Sequence, residues 1–564
     1  MTITCGEFLA VSGRTAEAPF GPESARLSFP GGVVWATGEP RAGTGIALSL
    51  GPRDHAKGPL APGDLAGRLR SGDGLGDIAA PYAAVLVDGD TVTAATDHLG
   101  LRHIYGVRGV GWAAISTSAR LLARIAGAPL DLRALGAYRL IGHHLGVATP
   151  YEGVTKLPAA HRWRLTGGRL HEEPYPVPGF EPAADPVRNT ARVLRDDVER
   201  GLDEHPDAVL QLSGGLDSRV LLAAVPPDRR RGLRALTLSS AESRDHTVAT
   251  RLAEAYGLRR DVIDLGGLAA LDPAEAYDLV HSAALRSGGL GSPIAFAVLD
   301  WAEARAPGEP RINGFGGETA RAFYYPAQRQ HHRPTPALVD RLARWRVFTL
   351  EPADPAMFDP EYAAETEAAT LATLRDVFAA YDTDWLTATD EFYVRERAHR
   401  WVGATLTGAC LRYVTLSPLL HPEFLAAARS LAPEDKRGSR FNARVLMELD
   451  PELARIPLDT GIRPDTLPSR GPLRSSYDFA RRASRKVGQR VRNSGNPGVG
   501  VPTVTELLVR HWRDNPDLLE PVAATGLVRE QWLAEMLSGA RRPGEATAAF
   551  LAILEIAARP DRSA

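Results

Sequence analysis

Ala208-Val209-Leu210-Gln211-Leu212 is an apolar run that ends in Ser213-Gly214-Gly215-Leu216-Asp217-Ser218, and helical periodicity follows from Arg219. A buried strand must therefore turn sharply, through two glycines, into a helix N-terminus. Glycine lets backbone approach an anion closely. The free N–H groups of the first helical turn and the positive end of the helix dipole then attract it. Ser213 and Ser218 add hydroxyl donors, and Asp217 adds a carboxylate able to hold magnesium. A plain strand–helix turn needs only the glycines; here all six positions suit an anion. Leu212 to Ser218 is thus the first candidate ligand loop. The alternative phosphate loop, Gly-x-x-x-x-Gly-Lys-Ser/Thr, occurs nowhere in the chain.

The 564 residues suffice for two or more domains with full cores. A net charge of −2 gives no global field toward nucleic acid or a membrane surface. No apolar stretch reaches bilayer length, and no basic-then-apolar leader opens the chain, so a cytoplasmic protein without a membrane span is expected. The two cysteines, Cys5 and Cys410, suggest neither a disulfide framework nor a metal site. Lysine is restricted to Lys57, Lys156, Lys436 and Lys486, so any mechanism needing a catalytic lysine must choose among four.

Short alternating apolar runs fill residues 1–175, and Asp88-Gly89-Asp90 between two of them signals a hairpin. This region reads as strands in stacked sheets. Residues 176–188 read as a Pro-rich, acidic linker. From Asn189 helical periodicity dominates, interrupted by apolar strands at 208–212, 233–238 and 261–265. That alternation predicts a parallel sheet covered by helices. Residues 335–450 read as mainly helical, 493–502 as a flexible loop, and 503–560 as helices packing through Leu507, Leu508, Trp512, Leu533, Phe550, Leu551 and Leu554. The basic segment 470–492 reads either as a mobile cover over substrate or as a charged helix face.

Two further segments belong beside the first loop. The strand Leu236-Thr237-Leu238 leads into Ser239 and a helix opened by Asp245. Ligands bind at strand C-termini in such sheets, which places Leu238 and Ser239 to contact an adenine. Arg311-Ile312-Asn313-Gly314-Phe315-Gly316-Gly317-Glu318 is a short strand ending in a second glycine-rich turn with an acid. A magnesium ion on phosphates uses one or two carboxylates plus water, and Asp217 with Glu318 meets that need.

Together these segments resemble the synthetase domain of the asparagine synthetase family, with a loop that looks like the pyrophosphate-binding loop of AMP-forming enzymes. Asp97-His98-Leu99-Gly100-Leu101-Arg102-His103-Ile104-Tyr105-Gly106 resembles that family's glutaminase-like domain. Thr415-Leu416-Ser417-Pro418-Leu419-Leu420-His421-Pro422-Glu423 resembles its segment before the final helices. The resemblance implies an α/β chain of two parts. Residues 1–180 form a glutaminase-like β-sandwich of the N-terminal-nucleophile type, and residues 189–564 a parallel-sheet ATP pyrophosphatase and cyclase domain with extra helices. GMP and NAD synthetases share the first loop but not this N-terminal partner.

The departures narrow it. The family places cysteine directly after Met1, whereas this chain has Thr2, with Cys5-Gly6 displaced, and lacks a clear Asn-Gly-Glu glutamine-binding segment. Glutamine hydrolysis is therefore expected to be lost. β-Lactam synthetases and lasso peptide cyclases share that loss; both adenylate a carboxylate and close a ring with an amine of the same molecule. Where β-lactam synthetases carry tyrosine in the Gly-rich turn, this chain has Phe315; where they carry Arg-Pro-Lys, it has Arg463-Pro464-Asp465. Lys436 reads as a surface residue. The segment Arg395 to Trp401 and the length are similar to lasso cyclases.

That resemblance implies ATP and Mg2+ as cofactors and a linear core peptide as substrate, with a leader peptidase and a leader-binding protein as possible partners. An Asp or Glu side chain of the peptide is adenylated, and its N-terminal amine closes a macrolactam. Glu396 is the expected base, with Tyr324 or His399 nearby, and Arg463 is expected to replace the missing lysine. The bland alternative for Glu396 is an ordinary helix-surface residue. A small-molecule amide or β-lactam synthetase and a non-catalytic scaffold are the rival readings.

Overall fold

Gly89 and Asp90 join the strands Ala83–Asp88 and Thr91–Thr96, pairing Val87 with Val92 and Asp88 with Thr91. Gly89 sits at φ 60°, the positive value that a two-residue hairpin turn requires. In the computed structural model, which describes residues 6–15, 24–37, 42–179, 183–240, 242–306, 308–325, 332–469 and 500–559, this hairpin lies in a five-stranded antiparallel sheet. A six-stranded antiparallel sheet, built around Phe8–Ser12, packs on it.

All five residues of Phe8–Ser12 are buried, which a sandwich strand with one wet face would not allow. Phe8 and Ala10 point between the sheets toward Val85, Ala94 and Trp163. Leu9 and Val11 point outward, under Leu122 of the helix Ala119–Ala126. The other sheet is covered likewise: Ala84 and Leu86 meet Leu65 and Leu69 of the helix Pro62–Ser71. The N-terminal part is thus four layers, helix–sheet–sheet–helix. Each aliphatic side chain buried in it contributes about 1.5–3 kcal/mol. Sequence patterning showed the stacked sheets but not the outer helices.

Beyond residue 200 the strands are parallel. Their spatial order is Arg259–Asp264, Arg234–Ser239, Val209–Gln211, Arg311–Ile312, Thr415–Leu416. The chain moves outward in one direction for three strands and then in the other for two. Val209–Gln211 and its neighbour Arg311–Ile312 therefore flank the point where the order reverses. Helices Pro186–Glu204, Leu216–Ala224 and Arg440–Leu449 form one core with this sheet. A second core gathers Pro273–Ser287, Pro293–Glu303, Val501–Asp514 and Glu545–Ala558 around Trp512, Phe550, Leu551 and Leu554. Among the described residues no helix is long and apolar enough to cross a membrane.

A long helix ties the two parts together. It runs as Trp385–Phe392, widens to π pitch over Tyr393–Val402, and continues as Gly403–Ala409. His399 on it reaches Lys156, and Thr407 accepts from the His103 N–H at 3.1 Å. Nearby, His143 and His144 are fully buried, and that burial pushes their pKa values down to about 3 and about 4.

The unfolded chain takes up these protons at a pKa of about 6.5, while the fold does not. Below that pH the unfolded state binds more protons, so stability falls as pH drops toward 4. The expected slope is about 1.4 kcal/mol per pH unit for each histidine. Urea unfolding across this range should show it, and His143→Gln should flatten the curve by one histidine's share.

Candidate functional site

A cleft of about 1460 Å³ opens at the C-terminal ends of the central strands, where the strand order reverses. Ligands of open parallel sheets bind at this place, because neighbouring loops diverge there and leave a crevice. The expected loop lines it through Leu212, Ser213, Gly215, Leu216, Asp217 and Ser218. Leu238 lines it from the second strand, and Gly314, Phe315 and Glu318 from the fourth.

The first loop holds itself in shape. The Ser213 and Ser218 hydroxyls are 3.0 Å apart, and Ser218 Oγ accepts from the Ser213 N–H at 3.1 Å. Ser213 Oγ accepts from the Gly215 N–H at 3.2 Å. Gly214 faces away from the cleft: its N–H donates to Asp245 Oδ1 at 2.7 Å, and its carbonyl accepts from the Asp459 N–H at 3.1 Å. Asp245, expected to open a helix, lies instead in the first turn of the helix Arg244–Tyr256, which Ser243 caps, and its carboxylate braces the loop. The helix Leu216–Ala224 then begins without any side-chain cap, so its first N–H groups are left for a ligand. Fully buried Arg219 anchors this helix, donating to the carbonyls of Ile456 and Pro457 (3.1 Å for the latter).

The second glycine turn packs directly on Asp217. A Cβ on Gly314 would lie 3.2 Å from Asp217 Cβ, and one on Gly317 would overlap the Asp217 carboxyl. Asp217 is ion-paired with Arg321 and accepts from Asn442 Nδ2 at 3.3 Å. Glu318, on the same turn, is partly buried; desolvation pushes its carboxyl up, opposed by a backbone hydrogen bond and by the positive charge of Arg397. Among the described residues there is no cluster of three or more His, Cys, Asp or Glu able to hold a metal. Two carboxylates suit a cation held mainly by substrate phosphates, and the under-compensated Glu318 is a fitting ligand for one.

The remaining expected residues fall elsewhere. Ser239 is buried behind the cleft, its hydroxyl 3.4 Å from His246 Nδ1. Glu396 is buried at the junction of the two parts, accepting from the Gly146 N–H at 2.8 Å, and is not a cleft residue. Burial pushes its carboxyl up, with Arg400 opposing. Tyr324 is buried in an aromatic cluster with Phe392 and Tyr393. Arg463 is exposed and paired with Asp465, beside the cleft residue Ile462 but not itself in the wall. His399 contacts Lys156, away from the cleft. Thr2, Cys5 and the basic segment 470–492 lie outside the described residues.

Lys436 corrects the reading of a surface residue. Only 2% of it is exposed, and its ammonium donates to Asp390 at 2.5 Å. The charged residues around it in sequence suggested solvent; the partner that buries it is 46 positions away. Sequence reasoning also missed other residues of the cleft lining: Arg321, which pairs with Asp217, and Phe323, Tyr325, Trp345 and Arg437 come from three separated segments, with no shared spacing to mark them.

No protein-family model matches the chain, and no curated protein matches it.

Gly316 sits at φ 101°, and a Cβ there would run into the Leu419 carbonyl. Gly316→Ala should therefore cost about 1–3 kcal/mol in urea unfolding. Gly63→Ala, at a position with open space around it, should not destabilise the chain.

Proposed function

We propose that the chain is an ATP-dependent, AMP-forming carbon–nitrogen ligase that closes a macrolactam on a linear peptide, in the manner of lasso peptide cyclases. The observation that carries this reading is the meeting of two glycine turns at the point of strand reversal, with uncapped helix N–H groups, Asp217 and Glu318 in one cleft. The nucleotide-splitting part is a pyrophosphate-loop domain, and the four-layered N-terminal part is glutaminase-like without the nucleophile.

In this reading the first-turn N–H groups and the Ser213 and Ser218 hydroxyls bind the pyrophosphate of ATP, and Leu238 lies against the adenine. When bound, magnesium neutralises the departing pyrophosphate, with Asp217 and Glu318 as its protein ligands. An Asp or Glu carboxylate of the peptide attacks the α-phosphate. The peptide's N-terminal amine then displaces AMP from the acyl-adenylate. Two reacting ends of one molecule held together need little besides positioning.

Cleft size favours a peptide. Pockets for small ligands span about 300–1,000 Å³, and this cleft of about 1460 Å³ exceeds that range. Phe323, Tyr325 and Trp345 in its lining offer the stacking surface an extended chain needs.

The test is mass spectrometry of a linear peptide, free at its N-terminus and carrying an internal acid, incubated with the protein, ATP and Mg2+. Loss of one water with one AMP released per ring is expected. Pyrophosphate release with aspartate or a small β-amino acid, and none with peptides, would replace this reading with a small-molecule amide former. Asp217→Ala should abolish pyrophosphate exchange, and because Arg321 and Asn442 lose their partner it should also lower the melting temperature without unfolding the protein at 25 °C.

A further inference from the structure

Trp345 is 49% exposed, the only exposed one of nine tryptophans. Of the large hydrophobic side chains exposed among the described residues, it alone lines the cleft. A lone apolar side chain on a convex surface needs no explanation. An indole left open in a concave site keeps apolar area in water that a ligand would cover.

The fold holds this ring firmly. Trp345 ends the helix Pro336–Trp345, which Thr335 caps and whose Val339, Leu342 and Ala343 pack with Leu371 and Leu374. The next residue pins that end. The Arg346 N–H donates to the Leu342 carbonyl at 2.8 Å, and the Arg346 guanidinium donates to the Phe323 carbonyl at 3.4 Å. The same guanidinium lies 5.3 Å from the centre of the Phe323 ring, and the rings of Tyr324 and Tyr393 each lie 4.8 Å from it. An indole with two side-chain torsions on such a base loses little conformational freedom when it binds.

Strand order sets this wall apart from the nucleotide. Val209–Gln211, whose loop binds pyrophosphate in the reading above, pairs with the strand of Leu238 on one side and with Arg311–Ile312 on the other. Leu238 and the chain leading to Phe323 therefore leave the sheet on opposite sides of the Ser213–Ser218 loop. Lining residues between 321 and 346 bring two arginines, three aromatic rings and no acid to the cleft. A wall of that composition suits a peptide segment that carries an aromatic ring beside a carboxylate.

We infer that Trp345 is a specificity-determining residue, and that it stacks on an aromatic side chain of the linear peptide next to the acid that closes the ring. This deepens the ligase reading above and rests on it for the identity of the peptide. The indole holds the acid's neighbour in place while the carboxylate faces the nucleotide.

The test is calorimetric binding of two linear peptides, alike except that Phe flanks the acid on both sides in one and Ala does in the other. The parent protein should bind the Phe peptide about tenfold more tightly, the worth of one stacked aromatic pair. Trp345→Ala should bind both peptides equally, at the level of the parent with the Ala peptide, and Trp345→Phe should keep most of the difference. The half-exposed indole can be removed without unfolding the chain, which melting curves check. ATP affinity, measured by calorimetry without peptide, should be the same in Trp345→Ala as in the parent. Equal binding of both peptides by the parent would overturn the inference, as would discrimination that survives in Trp345→Ala. A fall in ATP affinity in Trp345→Ala would put the indole against the nucleotide and overturn it too. Discrimination that vanishes in Trp345→Ala, with no pyrophosphate exchange in the parent, would keep the aromatic site and overturn the ligase reading instead.

Discussion

The Asp217 carboxyl and Gly317 touch so closely that nothing larger than hydrogen fits on the glycine. That contact exists because the strands Val209–Gln211 and Arg311–Ile312 are neighbours while a hundred residues separate them in the chain. Their loops leave the sheet on the same side, and at the reversal of strand order nothing from a third strand comes between them. The second turn must therefore be glycine-rich at 314, 316 and 317, against two obstacles: Asp217 for the outer two and the Leu419 carbonyl for the middle one. The resulting crevice brings two acids and a set of uncapped amides into one place.

Legibility followed range. The Ser213–Ser218 loop, the hairpin at Gly89 and the C-terminal helices were visible in sequence because strand, turn and cap depend on residues a few positions apart. Leu507, Leu508, Trp512, Leu533, Phe550, Leu551 and Leu554 are all buried, as their periodicity required. The cleft lining beyond the two glycine turns was not legible. Tyr325, Asp390 and Lys436 acquire meaning only through contacts 46 and 65 residues long, and nothing local distinguishes them from ordinary polar positions. Glu396 shows the limit of spacing: its position suggested chemistry, and the structure places its carboxylate outside the cleft, accepting from the Gly146 N–H.

That π stretch also explains how two parts of different architecture sit as one. Before it, Phe392 lies in the core beneath Tyr325, and Asp390 accepts from the Tyr325 hydroxyl; after its midpoint, His399 and Thr407 face the N-terminal part. A regular helix repeats its face every 3.6 residues, whereas wider pitch shifts the register and lets one helix serve both neighbours. The four-layered sandwich, whatever its ancestry, thus holds the helix that carries Asp390.

Lysine usage sharpens the argument about Asp390. Arginine supplies nearly all cations of this chain, yet the residue beneath Asp390 is one of only four lysines. A guanidinium spreads its charge over a planar fork and prefers to grip both oxygens of a carboxylate; an ammonium is a compact point charge that contacts one. Lys436 meets Oδ2, the oxygen that also receives the Tyr325 hydroxyl. A bidentate grip would compete with the phenol for the carboxylate, whereas a point contact leaves room for it. Deep burial raises the cost of this charge, and only a pairing that good can hold it there. The rare residue stands where its particular geometry matters.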